Sequence, residues 1–321
     1  FNGVQRGLIE NCFITGEVAV SANITSLDIR RTRILNDTSA GSGHCVNITG
    51  GSLGGKITLD NCDIETITAG SCVRSTNGAS DIVINIDRSN LIARTGTRAI
   101  EFGATQANTN LRGCRIEVYP TTAGFSALYY IDGWAHTIRK CDILMKAAAS
   151  LQTNVLAYVD SDTSNASMTL DDVTIDFNDQ SSAAAAVTAA PIYISAHRAL
   201  LRDVRLVNLA LPNTATSASL QNWVELNPLA NGQIVVDELV ARDLTSDISG
   251  TIACSLMGQA TSSSGTGHLT FKGCRINGAN KTHRTAADLG SMISVAGNAL
   301  FVTIEGCTLR NGTWFKAIRI T

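Results

Sequence analysis

The chain has 321 residues, 44% of them hydrophobic and 16% charged, enough apolar material to bury a core without disulfide or metal staples. With 25 basic against 27 acidic residues the net charge is −2, and the lack of any basic run argues against a protein that follows nucleic-acid phosphates. The longest apolar stretches, such as 183–187, fall far short of the ~18 residues that cross a bilayer, so no membrane insertion is expected.

Along the chain one six-residue motif recurs: an apolar residue, two polar or small ones, a small or apolar one, any residue, then an aliphatic one. It first reads Ile9-Glu10-Asn11-Cys12-Phe13-Ile14, then Ile29-Arg30-Arg31-Thr32-Arg33-Ile34, then Leu59-Asp60-Asn61-Cys62-Asp63-Ile64. Further copies centre on Ser89, Cys114, Cys141, Val173, Val204, Leu239, Cys274 and Cys307. The eleven copies stand about 30 residues apart, which marks a repeat architecture. Each is preceded by an alternating pair such as Ile57 and Leu59, Ile84 and Ile86, or Leu269 and Phe271, the period of a strand with one buried face. A further alternating segment follows at 44–48, 99–102, 192–194, 223–226, 292–295 and 317–320. No window carries a helical period, and the connections are rich in Gly, Ser, Thr, Asn and Ala.

Three short strands per repeat, stacked eleven times, predict an all-β right-handed parallel β-helix over residues 1–321, a single-domain rod roughly 50 Å long. Propeller blades need four strands each, and leucine-rich repeats a Leu/Asn spacing that is missing here. The repeats lengthen after Cys141, mostly between the second and third strands, which places loops 178–191, 211–221 and 277–291 on one side. Because Phe1 and Thr321 both fall inside a repeat, the chain is expected to be part of a longer protein.

Six of the nine cysteines (Cys12, Cys62, Cys114, Cys141, Cys274 and Cys307) share the motif centre, where other copies carry Val, Leu, Thr or Ser. They are expected to be stacked buried thiols. No C-x-x-C pair occurs, so no zinc site or other cofactor is expected, and an odd count of core thiols points to folding in a reducing compartment.

The stacked motif resembles the pectate-lyase-like superfamily of right-handed β-helices over essentially the whole chain. Within it, the few prolines, the Ala/Ser/Thr/Asn-rich connections and the unpaired thiols are most similar to the shaft of a bacteriophage tailspike or tail fibre. That resemblance implies a homotrimer, assembled in the host cytoplasm beside other virion tail proteins, that binds bacterial surface polysaccharide at the host cell surface. It also implies a choice among a binding module, a polysaccharide depolymerase and a purely structural shaft, because one fold hosts all three.

Outward positions of a β-helix repeat from coil to coil, so equivalent residues form surface columns about 4.8 Å apart. In one such column Glu117 and Asp176 stand two coils apart, with Asp142 close to the line between them and Glu65 further along. A separation of about 9.6 Å overlaps the carboxyl spacing with which an inverting glycosidase accommodates a water, making Glu65, Glu117, Asp142 and Asp176 the candidate hydrolytic patch. The competing interpretation is that solvent-facing strands simply carry carboxylates. Asp171, Asp172 and Asp176 lack an EF-hand spacing. Gly43-His44-Cys45 only partly matches the Gly-His-Gly strand of polygalacturonases, with Cys45 in place of the last Gly; His136, His197, His268 and His283 accompany no nucleophile motif and are expected to be coil-edge or loop histidines. Tyr129, Tyr130, Trp134, Tyr158 and Tyr193, with Trp223 on the next coil, lie on or beside third strands and form the candidate sugar-stacking platform.

Overall fold

The computed structural model describes residues 5–20, 24–37, 43–49, 55–68, 70–76, 82–94, 98–103, 107–119, 126–131, 135–146, 155–160, 166–177, 190–208, 222–242, 255–259, 266–283, 291–295, 301–314 and 316–320. Among these there is no helix, and 28 strands pair in parallel throughout. The chain is a parallel β-helix with three ladders. One inward position of the first ladder runs Ile9, Ile29, Leu59, Ile86, Leu111, Ile138, Leu170, Leu201, Val236, Phe271 and Ile304, one residue per rung for eleven rungs. Between the end rungs each of these side chains lies between equivalent residues above and below, and burying one contributes about 1.5–3 kcal/mol. A one-residue slip would turn the whole row outward, so the apolar alternation fixes the register.

The corner between the first and second ladders explains the motif. The residue before each motif centre has positive φ on every rung, from Asn11 (55°), Arg31 (46°) and Asn61 (54°) to Gly273 (60°) and Gly306 (61°). A left-handed residue turns the chain inward, and its N–H bonds the next rung, as in Asn61 N to Asp87 O at 3.0 Å. The motif centre then closes the corner. Thr32 Oγ1 donates to Arg30 O at 2.9 Å, Ser89 Oγ to Asp87 O at 2.8 Å and Cys141 Sγ to Arg139 O at 3.3 Å. The same atoms accept from the preceding rung, Cys62 N to Ser89 Oγ at 3.1 Å and Cys114 N to Cys141 Sγ at 3.4 Å. Cys, Ser and Thr recur there because a small side chain that both donates and accepts satisfies two rungs. Val173 and Val204 take the position where strands Ser167–Asp176 and Ile192–Val207 run unbroken through the corner.

All eight described cysteines are free thiols. Cys62, Cys114, Cys141 and Cys274 are buried as expected, but Cys12 is exposed and Cys307 half-buried, because they lie on the first and last rungs, where only one neighbour covers them. The loops expected at 178–191 and 211–221 lie almost wholly outside the described residues. Part of 277–291 is instead strand, since Arg275–His283 pairs with Thr308–Trp314 across a register shift.

Candidate functional site

The third ladder gathers polar and aromatic side chains in one column. Its outward column runs Ala19, Asn47, Arg74, Glu101, Tyr129, Ala157, Tyr193, Glu225, Gly258 and Ser294. Over the first rungs it is a polar mesh: Glu17 accepts from Asn47 at 2.9 Å, Glu101 accepts from Ser71 at 2.7 Å and pairs with Arg98 at 3.2 Å, and Arg98 lies 4.5 Å over the Tyr129 ring. Further along, half-buried Tyr193 and Glu225 occupy adjacent rungs. Burial pushes the Glu225 carboxyl up to about 7. The next rung of the column is Gly258, at φ +148°, where a Cβ would fall 1.6 Å from Ser294 O. That position must therefore be glycine, and Glu225 has no side chain beside it there.

Two residues beyond Tyr193 the polar row continues. Buried Asn227 donates to Ser195 Oγ at 3.3 Å. Asp160, with a side chain 0% exposed, pairs through Oδ2 with His197 Nδ1 at 3.0 Å and accepts the His197 N–H at 3.3 Å. His197 sits where the register breaks: Ala196 faces Pro228 and Arg198 faces Gln233, so the single residue 197 lies opposite four, 229–232. Bulges of this kind re-aim side chains beside functional sites. Here the break opens a groove of about 480 Å³ lined by Ser167, Thr169, His197, Arg198, Asn231 and Gln233, among others. An imidazole fixed on a buried carboxylate and facing a groove is the arrangement of a general base.

The expected platform divides in two. Tyr129 and Tyr193 face outward, whereas Tyr130, Tyr158 and Trp223 point into the core at 0–1% exposure and present no face to a sugar. Alternation explains the split, because Tyr129 and Tyr130 are consecutive on one strand. The two inward tyrosines meet Phe102 and His136 at tilted or edge-on angles, with centroids 5.5 Å apart for Phe102 and Tyr130, 4.8 Å for Tyr130 and His136, and 5.6 Å for His136 and Tyr158, and Trp223 meets Phe177 edge-on at 6.4 Å. His136 is therefore a core residue rather than a coil-edge one, bonded to Thr109 at 2.9 Å. Trp134 lies outside the described residues.

The four carboxylates of the candidate patch lie on the second ladder. Glu65, Glu117 and Asp176 occupy alternate rungs of one column, with Ile92 and Leu144 between them, and Asp142 stands one column over. Arg94 holds Glu65 at 2.8 Å, Arg115 holds Glu117 at 2.8 Å, and Asn208 donates to Asp176 at 2.9 Å. Asp171 accepts from Arg202 and pairs with Arg139, each at 2.9 Å, and Asp172 pairs with Arg205 at 2.8 Å.

No motif in the sequence singles out Asp160, His197 or Glu225; the signal for the Asp160–His197 pair is the third-ladder register, which brings residue 160 beside 196.

No family model and no curated protein matches the sequence. Among solved structures, the tailspike protein gp49 of Pseudomonas phage LKA1 is similar over 99% of this chain, with a TM-score of 0.46 and 14% identity. The chain spans 50% of the length of that tailspike.

Proposed function

We propose that the chain forms the shaft of a tailspike-like or tail-fibre-like virion protein, a homotrimer assembled in the host cytoplasm with other tail proteins, and that it binds bacterial surface polysaccharide. The observation that carries polysaccharide binding is the face formed by Tyr193, Ser195, Glu225 and Asn227 beside the groove at the His197 register break. A half-buried ring packs against the CH face of a pyranose, while the Glu225 carboxyl and the polar side chains of the groove bond its hydroxyls. Light scattering and a panel of capsular and O-antigen polysaccharides test this on one sample. A trimer that binds one polymer, with affinity reduced at least tenfold in Tyr193→Ala, is expected. A monomer would overturn the tailspike assignment, and a protein that ignores every polymer would overturn polysaccharide binding.

A second reading, depolymerisation, is favoured by the Asp160–His197 pair. His197 would take a proton from a water whose oxygen bonds the anomeric carbon as the glycosidic bond breaks, and Glu225, protonated up to about pH 7, would give its proton to the departing sugar oxygen. Loss of polymer shortening with retained binding in His197→Gln and Glu225→Gln supports this site. The same loss in Glu117→Gln, Asp176→Asn, Asp142→Asn or Glu65→Gln assigns cleavage to the second-ladder patch instead.

A further inference from the structure

The outer face of the second ladder changes sign along the rod. Over the first seven rungs its two outward columns carry Asp63, Glu65, Glu117, Asp142 and Asp176 against Arg33 and Arg115. Over the last four rungs the same columns read Arg205, Val240, Arg275, Thr308 and Val207, Arg242, Asn277, Arg310. There is one arginine per rung, alternating between columns; these columns hold no carboxylate of their own, and Arg205 pairs with Asp172 of the rung before. Arg242, Arg275 and Arg310, with Asn277, Thr308 and Val240, line a groove of about 340 Å³. All four arginines are exposed.

We infer that this groove is a binding site for a linear polyanionic polysaccharide carrying one carboxylate on each sugar or every second sugar. The groove and its charge stand independently of the third-ladder face; the choice of a polysaccharide as ligand rests on the polysaccharide reading above. Arg242, Arg275 and Arg310 stand on successive rungs, and the carboxylates of a bound polymer accept charge-assisted hydrogen bonds from their exposed guanidiniums. The zigzag matches a polymer better than a single anion, because each rung offers a new guanidinium in the direction of the rod. Asn277 and Thr308, between the arginines, supply uncharged partners for sugar hydroxyls. No aromatic ring lines the groove among the described residues, so it lacks the stacking surface with which single-stranded nucleic acid is held. The acidic first seven rungs repel the same polymer, which confines it to this end.

The test is the affinity of the full chain for polygalacturonate at low and moderate salt, with neutral dextran and single-stranded DNA as comparison polymers. The variants are Arg275→Gln with Arg310→Gln, the corresponding double Lys variant, and Tyr193→Ala. Polygalacturonate should bind in preference to dextran and DNA and weaken as salt rises. The double Gln variant should lose at least tenfold, and the double Lys variant should keep the salt dependence. Unchanged affinity in the double Gln variant would overturn the inference. So would DNA binding as tight as that of polygalacturonate, or a low-salt dimer that dissociates in the Gln variant, the mark of an interface between copies. If the arginine changes weaken polygalacturonate while Tyr193→Ala alters binding to no glycan, the third-ladder reading fails and the groove stands. The reverse pattern retires the groove alone.

Discussion

Replacing Glu225 by Gln isolates the most perturbed carboxyl of the third ladder. Its cause is burial alone: the folded protein disfavours the carboxylate and keeps the proton up to about pH 7, while the unfolded chain releases it near 4.5. Folding therefore takes up a proton between these values. The native state loses stability as pH rises from 4.5 to 7, and the loss persists above that range. At about 1.4 kcal/mol for each tenfold change in ionisation constant, the cost has a ceiling of roughly 3.5 kcal/mol. Gln keeps the shape and removes the charge. The variant should unfold with the wild type at pH 4 and about 3–6 °C higher at pH 8, read by thermal melts across that range. Parallel melting curves at all pH values would refute the burial of Glu225 and, with it, its role as a proton donor near neutrality.

Gly258→Ala places a Cβ 1.6 Å from Ser294 O at a φ of +148°, so it should destabilise the chain by about 3 kcal/mol or more in denaturant melts. Arg202 holds the Asp171 carboxyl below its ordinary value, chiefly by hydrogen bonding, so that stabilisation is present above the unfolded value near 3.8 and is lost as pH falls through the lower folded value. Arg202→Ala should therefore lower the melting temperature at neutral pH, and progressively less so as the pH falls through the folded value of Asp171, measured by the same melts. In native thiol labelling mapped by mass spectrometry, exposed Cys12 should react first, while Cys45 and Cys274, whose thiols burial pushes up to about 12, should stay unmodified until the chain unfolds.

The fold was legible because its determinants are local and repeated. The apolar alternation fixes the strands, and the Cys/Ser/Thr centre marks the corner that follows each left-handed residue. Columns on the second ladder could be written down in advance because the motif itself sets their register: the alternation of Glu65, Ile92, Glu117, Leu144 and Asp176 is reproduced rung for rung. The third ladder was harder to read, since connections of varying length separate it from the motif. The inward turn of Tyr130, Tyr158 and Trp223 depended on a one-residue parity that composition does not carry. Asp160 and His197 come together across a register break, and Glu225 is perturbed by burial, properties of the assembled coils rather than of any segment.

The most direct test of polysaccharide binding is hydrogen exchange of the native chain with and without the polymer that the panel selects. Binding at the third-ladder face predicts slowed exchange in strands Ile192–Val207 and Asn222–Asp237, around the His197 break. Absence of any bound polymer, or protection that leaves both strands unchanged, would contradict it.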